Sequence, residues 1–172
     1  MNEDNRPIIA LDVDGVLSPD ASAKRRRHLW YHHGYKRKAV RWGLGVSQLI
    51  IHPEAGVWVQ RLAHDTGAEL VWATHWNEHA NDHVGPLIGL PPLPVVVTPR
   101  YPELKAPALI GWTTGRPLVW FDDEEREIAT ALRSTKERGQ PFLGILTDPV
   151  VGLTSDHVDE VRTWLVSLKR DE

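Results

Sequence analysis

Two pairs of carboxylates, each directly after a run of apolar residues, are the part of the sequence best suited to chemistry. Asp12 and Asp14 follow "PIIAL", and Asp122 and Asp123 follow "RPLVWF". Acids gathered at neighbouring strand ends repel each other unless a cation lies between them. A hard divalent ion with oxygen ligands, Mg²⁺, relieves that repulsion. The alternative is that each pair lies in its own solvated loop, and the recurrence of an acid pair after a second apolar run argues against it.

The segments that position these acids alternate between strand and helix patterns. Short apolar runs predict five strands, and amphipathic runs with helix-end signals predict five helices. The predicted strands cover residues 7–13, 68–74, 93–99, 116–123 and 141–147, and the predicted helices cover 52–67, 77–90 with a break at Gly85-Pro86, 102–112, 124–139 and 155–170. This order predicts an α/β fold, a three-layer Rossmann-like parallel sheet with helices on both faces. Ligands bind beyond the carboxyl ends of such strands, where both acid pairs are expected.

Composition narrows the class of protein. The 172 residues suit a single domain. No run of eighteen apolar residues occurs, so no membrane span is expected. Residues 1–7 are polar and acidic, unlike a signal peptide, and the chain has no cysteine. These features exclude disulfide and thiolate chemistry and predict a cytoplasmic protein.

The order of the polar residues at the predicted strand ends resembles a known superfamily. The residues are "DVDGV" (12–16), "WAT" (72–74) ending in Thr74, Lys105, and "FDDE" (121–124). This order, which spans nearly the whole chain, resembles the haloacid dehalogenase (HAD) superfamily of phosphohydrolases. The first motif is the most specific. Thr74 and Lys105 are not specific by themselves and support the resemblance only because they occur at the expected places in the order. Either is open to a plainer interpretation, Thr74 as a strand-end residue and Lys105 as a surface lysine.

The resemblance implies a role for each of these residues. Asp12 would be the nucleophile that forms an aspartyl-phosphate. Asp14 would be the general acid and then the base for the hydrolytic water. Thr74 would donate a hydrogen bond to a phosphoryl oxygen, and Lys105 would neutralise charge on the nucleophile and the transferring group. Mg²⁺ would be held by Asp12, the backbone carbonyl of Asp14, Asp122, and Asp123 directly or through water.

Members of the superfamily vary in a cap inserted after the first strand, and here residues 18–52 leave room for a small flap only. Within it, residues 20–41 carry eight Lys or Arg against one Asp, a local charge of +7 in a chain of net charge −3. Gly34 is a candidate for a hairpin turn between "RHLWY" and "YKRKAVRW". Basic residues interleaved with aromatic ones are typical of surfaces that bind phosphates and stack bases. The candidate substrate-binding residues are Arg25, Arg26, Arg27, Lys36 and Arg37.

This flap predicts a polyanionic substrate: a nucleic-acid end, a nucleotide or a multiply phosphorylated small molecule. A solvated positive face that balances an acidic body is the alternative. The segment "ELVWATHWNEHAN…LIGLPPLPVV" (69–96) also resembles HAD domains of RNA-repair proteins. The leading hypothesis is therefore a Mg²⁺-dependent phosphatase of phosphorylated nucleic-acid ends or nucleotides. A non-catalytic nucleic-acid-binding module on the same scaffold is the second hypothesis.

A run of histidines offers a third hypothesis. His75, His79 and His83 are spaced four apart, so a continuous helix would place them on one face. Such spacing is able to hold zinc. The helix is expected to begin only near Asn77, after the strand that ends at Thr74. Three histidines on the solvent side are therefore the favoured interpretation.

Overall fold

The structure, a computed structural model, describes residues 5–19, 34–42 and 45–169. The strands are β1 (Ile8–Leu11), β2 (Lys36–Trp42), β3 (Gly45–Ile51), β4 (Glu69–Trp72), β5 (Leu118–Asp122) and β6 (Phe142–Leu146). The α-helices are α1 (Ala55–Thr66), α2 (Gly85–Ile88), α3 (Ala106–Thr113), α4 (Glu125–Glu137) and α5 (Ser155–Leu168). A π-helical segment, Ala80–Val84, leads directly into α2. None of the helices in the described part of the chain is long and apolar enough to cross a membrane.

The central sheet is parallel, with the strand order β4-β1-β5-β6. Alternate residues of β1 point to opposite faces: Ile9 and Leu11 pack with α1 and α5, whereas Ile8 and Ala10 pack with α3 and α4. Every residue of β1 and β5 is buried because both faces are covered. The predicted three-layer α/β fold is confirmed.

The connections from β1 and β5 leave in opposite directions, toward β4 and β6 respectively. Adjacent strands whose connections diverge in this way leave a crevice at their carboxyl ends, and this is where ligands bind in open α/β sheets. Asp12 and Asp122 lie at that point, since Asp12 follows β1 and Asp122 ends β5. The topology alone therefore brings the two acid pairs to one edge.

The predicted strand at residues 93–99 is wrong. This segment is extended but contacts β4 through one isolated bridge, in which Trp72 N–H donates to Pro94 O and Val96 N–H donates to Trp72 O, both at 2.9 Å. Its prolines lack the N–H groups that a ladder needs. They are Pro94 and Pro99, with Pro91 and Pro92 just before them. The predicted break at Gly85-Pro86 is also wrong, because the chain stays helical through both residues, with Pro86 in the first turn of α2.

The flap contains an antiparallel hairpin in which β2 pairs with β3, Lys36 opposite Ile51 and Trp42 opposite Gly45. Gly34 therefore precedes the first strand of the hairpin instead of lying at its turn. Leu49, Ile50 and Ile51 of β3 are buried in the body. The hydroxyl of Tyr35 donates to Val151 O at 2.8 Å, which ties the start of β2 to the loop before α5.

Candidate active site

Asp12 begins the loop that follows β1 and is held rigidly. Its N–H donates to Phe121 O at 3.1 Å, and its Oδ1 accepts from the N–H of Val13 at 2.7 Å. The residue is only 4% exposed. Its second oxygen, Oδ2, accepts a hydrogen bond from Nζ of Lys105. The side chain therefore presents one oxygen to a neighbouring cation.

Three carboxylates converge at this point. One oxygen from each of Asp12, Asp122 and Asp123 lies within 4.8 Å of the others. In the part of the chain that the structure describes, this is the one group of three or more His, Cys, Asp or Glu side chains that converges in this way. The predicted meeting of the two acid pairs is thus observed for these three side chains.

Lys105 lies between two of these carboxylates. Its Nζ contacts Asp12 Oδ2 and lies 2.7 Å from Asp122 Oδ2, and the side chain is 1% exposed. Burial alone would lower the pKa of this ammonium group, but the charges of Asp12 and Asp122 outweigh it and raise that pKa. Lys105 is therefore a buried, charged lysine, and the interpretation of it as a surface residue is wrong.

Glu127 of α4 fixes the backbone of Lys105 where α3 begins. Its Oε1 accepts from the N–H of Lys105 at 2.7 Å, and its Oε2 accepts from the N–H of Ala106 at 2.9 Å. These are N–H groups of a helix start, which have no partner within the helix. Glu127 is 1% exposed. Sequence reasoning missed it as a site residue, because an acid in the first turn of a helix is ordinarily a solvent-exposed residue that interacts favourably with the helix dipole.

The electrostatics of the group favour a bound cation. Burial, reinforced by the charge of Asp12, raises the pKa of Asp122 to about 8 against the attraction of Lys105. The same two causes raise the pKa of Asp123 to about 6. When all are ionised, the three carboxylates and the ammonium sum to −2. One divalent ion would balance that charge.

The donor set also fits Mg²⁺ in its chemistry. Carboxylate oxygens are the ligands that this hard ion prefers. Asp122 Oδ1 accepts from the N–H of Glu124 at 3.0 Å, and its buried Oδ2 lies 2.7 Å from Lys105 Nζ. Buried carboxylates are costly unless cations balance their charge, and Lys105 supplies only one positive charge to the three of them. Asp12, Asp122 and Asp123 are the residues that would hold the metal.

Gly15 makes room for Asp123. Its φ is +68°, and a Cβ at this position would lie 2.2 Å from Asp123 Oδ2. The loop is held in place because the hydroxyl of Thr147, which follows β6, donates to Gly15 O at 2.8 Å. Glycine is therefore required here both by the left-handed backbone and by the close approach of a carboxylate.

The side chain of Asp14 lies outside the three-carboxylate group. It is exposed, and its Oδ2 accepts from the indole Nε1–H of Trp76 at 2.8 Å. Trp76 is 5% exposed, so the carboxylate is held by a buried ring at the solvent boundary. Sequence reasoning missed Trp76 because nothing local relates it to a residue 62 positions earlier. The contribution of the Asp14 backbone carbonyl to the metal stays a prediction.

Thr74 lies two residues beyond β4 and is 1% exposed. The preceding residue, Ala73, donates its N–H to Leu11 O at 2.9 Å, which places Thr74 next to the start of the Asp12 loop. The hydroxyl of Thr74 accepts from the N–H of Trp76 at 3.3 Å, and its carbonyl accepts from the hydroxyl of Thr98 at 2.9 Å. Thr74 therefore lies at the same edge of the sheet as the carboxylates.

The predicted substrate-binding residues divide into two sets. Lys36 and Arg37 lie on β2, and both are exposed. They are joined there by two more exposed cations, Lys38 and Arg41. Arg25, Arg26 and Arg27 lie outside the described residues, so their contribution stays a prediction.

The histidines do not converge on a common point. His75 Nδ1 lies 2.8 Å from Pro99 O, whereas the rings of His79 and His83 stack with centroids 6.0 Å apart. His75, His79 and His83 form no three-residue ligand group in the described structure. The geometry offers no support for the zinc hypothesis.

Comparison with known proteins identifies the family. The profile of a family described as "HAD domain in Swiss Army Knife RNA repair proteins" matches residues 8–158. A crystal structure of hypothetical protein XCC2798 from Xanthomonas campestris is similar with a TM-score of 0.47 and 15% sequence identity, covering 98% of this chain and 88% of that one. Among curated proteins, no sequence matches this chain. The chain therefore belongs to the family of HAD domains found in Swiss Army Knife RNA repair proteins.

Proposed function

We propose that this protein is a Mg²⁺-dependent phosphatase that acts through an aspartyl-phosphate and removes phosphate from nucleic-acid ends or nucleotides. One observation carries the proposal: the buried ammonium of Lys105 lies between Asp12 and Asp122, with Asp123 completing a group of three carboxylates. HAD families are generally hydrolases, and this arrangement suits the stabilisation of a phosphoryl group. Charged groups fixed in a site without water stabilise developing charge far better than solvated ones.

In the first step, an oxygen of Asp12 attacks phosphorus. A bond forms between that oxygen and phosphorus, and the bond from phosphorus to the leaving oxygen breaks. Asp14 donates a proton to the leaving oxygen, since an alkoxide is a poor leaving group without one. Lys105 balances negative charge on the transferring group. A bound Mg²⁺, held by Asp12, Asp122 and Asp123, would neutralise phosphoryl charge.

In the second step, water attacks the phosphorus of the aspartyl-phosphate. Asp14, now a carboxylate, accepts the proton from that water, and the bond between phosphorus and Asp12 breaks. Inorganic phosphate leaves, and Asp12 and Asp14 return to their starting states. The exposed position of Asp14 suits this double role because its carboxylate is open to solvent. Trp76 holds its carboxylate in place through the indole N–H.

Two observations support a nucleic-acid substrate. The described hairpin presents four exposed cations on one strand, and such clusters bind phosphate backbones through counterion release. The matched family is described as belonging to RNA repair proteins. The substrate screen therefore compares RNA with DNA.

The test is phosphate release in the presence of Mg²⁺. The substrates are an aryl phosphate, 3′- and 5′-phosphorylated RNA and DNA oligonucleotides, mononucleotides and sugar phosphates. We expect turnover of the aryl phosphate and a preference for phosphorylated oligonucleotides over sugar phosphates. Asp12→Asn removes the nucleophile and should abolish release from every substrate while the circular dichroism spectrum stays unchanged. Asp159→Asn, an exposed acid of α5, is the matched control and should retain activity.

Full activity in Asp12→Asn would overturn the proposal. The exposed basic hairpin also favours a second function, a module that binds nucleic acid without catalysis. Salt-dependent binding of oligonucleotides by the wild-type protein, with no phosphate released from any substrate, would establish that function instead.

A further inference from the structure

The segment between residues 97 and 101 exposes an unusual amount of apolar surface. Val97 is 74% exposed and Tyr101 is 72% exposed, the two highest values among the large hydrophobic side chains of the described residues. Single exposed apolar residues are ordinary on protein surfaces. Here, however, Arg100 directly precedes Tyr101 in the sequence and is exposed as well. An aromatic ring beside a cation is the combination that binds nucleic acid through a base and a phosphate.

Tyr101 is supported by a neighbouring ring. The rings of His75 and Tyr101 meet edge to face, with centroids 5.9 Å apart and planes at 87°. His75 is itself held, because its Nδ1 lies within hydrogen-bonding distance of Pro99 O at 2.8 Å. A supported aromatic ring loses little conformational freedom when a second ring stacks on it. The exposed face of the Tyr101 ring is therefore already ordered for stacking with a flat ligand.

The segment that carries Tyr101 is fastened to the candidate active site at both ends. At one end, the hydroxyl of Thr98 donates to Thr74 O at 2.9 Å, and its N–H donates to Asn77 Oδ1 at 2.8 Å. At the other end, Lys105 contacts Asp12. Lys105 lies four positions after Tyr101, so their Cα atoms lie at most about 14 Å apart. At about 3.4 Å per stacked nucleotide, this maximum distance corresponds to about four nucleotides.

We propose that Tyr101, supported by His75 and flanked by Arg100, stacks on a base near the phosphorylated end of a single-stranded nucleic acid. The proposal rests on the proposed function in one respect only, that the phosphorylated end enters the site of Asp12 and Lys105. The terminal phosphate then lies among the buried charges, a nearby base lies on the Tyr101 ring, and Arg100 contacts a backbone phosphate. Tyr101 thereby favours an oligonucleotide over a sugar phosphate, which has no base to stack.

The experiment measures binding without turnover. Asp12→Asn protein is titrated into fluorescently labelled single-stranded oligonucleotides with phosphorylated ends, in the presence of Mg²⁺, and anisotropy gives the Kd. Adding Tyr101→Ala to that protein should raise the Kd on the order of 10-fold, because base–aromatic stacking is lost. Tyr101→Phe keeps the ring and should leave the Kd within about 2-fold, since the hydroxyl takes no part in stacking. Leu132→Ala, which truncates another exposed apolar side chain, on α4, is the control and should have no effect.

A second oligonucleotide, abasic at its last four positions, separates stacking from other contacts. With this ligand, Tyr101→Ala should change the Kd by less than about 2-fold, because there is no base to lose. An equal loss for intact and abasic ligands, or no loss for the intact ligand, would overturn the proposal. Phosphate release from an aryl phosphate by the wild-type protein is measured in parallel. If phosphate is released but the Kd does not depend on Tyr101, this inference alone is wrong. If no phosphate is released, the proposed function is wrong.

Discussion

Charged side chains are buried at the carboxyl edge of the sheet and exposed on the β2–β3 hairpin. Asp12, Lys105 and Asp122 are at most 4% exposed, and Lys105 contacts both carboxylates. Lys36 and Arg37 on the hairpin are exposed. Two unit charges 4 Å apart interact by about 1 kcal/mol in water and about 4 kcal/mol at the effective dielectric of a protein interior. The buried charges are therefore strongly coupled, and the exposed ones act mainly as a field that salt weakens.

This difference in burial indicates that the two groups of charges have different roles. The buried group suits chemistry, because its members are fixed before a substrate arrives and need not reorganise during reaction. The exposed cations suit recognition of a polyanion, because they contact phosphates without fixing one geometry. Changes in the buried group should therefore alter turnover of every substrate. Changes on the hairpin should alter the affinity for large substrates only.

The largest effect is expected from Lys105→Met, which removes the buried ammonium and keeps most of the side-chain volume. Turnover of an aryl phosphate should fall on the order of 100- to 1,000-fold, because charge on the transferring group is no longer balanced. Steady-state kinetics in saturating Mg²⁺ measure this. Lys136→Met, an exposed lysine of α4, should behave as wild type. Equal kcat values in the two variants would contradict the account of the buried group.

A smaller loss is expected from Glu127→Ala, which leaves the N–H groups of Lys105 and Ala106 without their acceptor. The free energy of unfolding should fall by about 1–3 kcal/mol. The kcat should fall roughly 10- to 100-fold, since a misplaced ammonium stabilises charge poorly. Glu127→Gln retains an acceptor and should lie between Ala and wild type. Glu125→Ala removes an exposed acid from the same helix turn, and an equal loss of kcat there would show that helix charge, not the two hydrogen bonds, is responsible.

Gly15→Ala tests the close approach of the third carboxylate. Its Cβ would clash with Asp123, so Mg²⁺ should bind about 10-fold more weakly, as measured by calorimetry. Gly34→Ala is a matched control, because Gly34 also has a positive φ, +79°, but nothing lies within 4 Å of a Cβ there. Both variants carry the cost of a left-handed alanine, roughly 1–2 kcal/mol. If both weaken Mg²⁺ binding equally, backbone strain and not Asp123 sets the affinity.

The smallest effect belongs to the hairpin. The double variant Lys36→Ser with Arg37→Ser should weaken oligonucleotide binding a few-fold at low salt and reduce the salt slope by about 2. The matched double variant is Arg133→Ser with Lys136→Ser, which removes the same charge from the exposed face of α4. If the slope of log K against log salt concentration falls equally in both double variants, net charge alone attracts the nucleic acid. The hairpin would then not be a specific binding surface.

The sequence was sufficient for the α/β fold and for the convergence of three of the four acids, because both depend on local patterns. Buried strands such as Ile8–Leu11 are short apolar runs, and parallel topology places their ends at one edge. Residues 93–99 share that apolar pattern, but their prolines prevent a ladder and leave a single bridge. An apolar run predicts burial well and hydrogen-bond pairing less well.

The residues that hold the site in place were not predictable in the same way. The Trp76–Asp14 hydrogen bond joins residues 62 positions apart, and Glu127 reaches Lys105 across 22 positions. Neither residue belongs to the acid, threonine and lysine motifs of the strand ends, and each acts through hydrogen bonds that exist only in the folded chain. The position of the hairpin was misjudged for a related reason: Gly34 is a plausible turn residue, but the burial of Leu49–Ile51 sets the pairing that the chain adopts.

The central claim is that Asp12 accepts the phosphoryl group, and trapping that intermediate tests it most directly. An aryl leaving group departs without a proton, so Asp14→Ala should still allow the first step while it slows hydrolysis of the intermediate. Acid quenching of this variant with an aryl [³²P]phosphate and Mg²⁺, followed by peptide mapping, measures the label. We predict ³²P on the peptide that contains Asp12 and none after Asp12→Asn is added. Steady release of phosphate with no labelled protein, or label on another residue, would contradict the account.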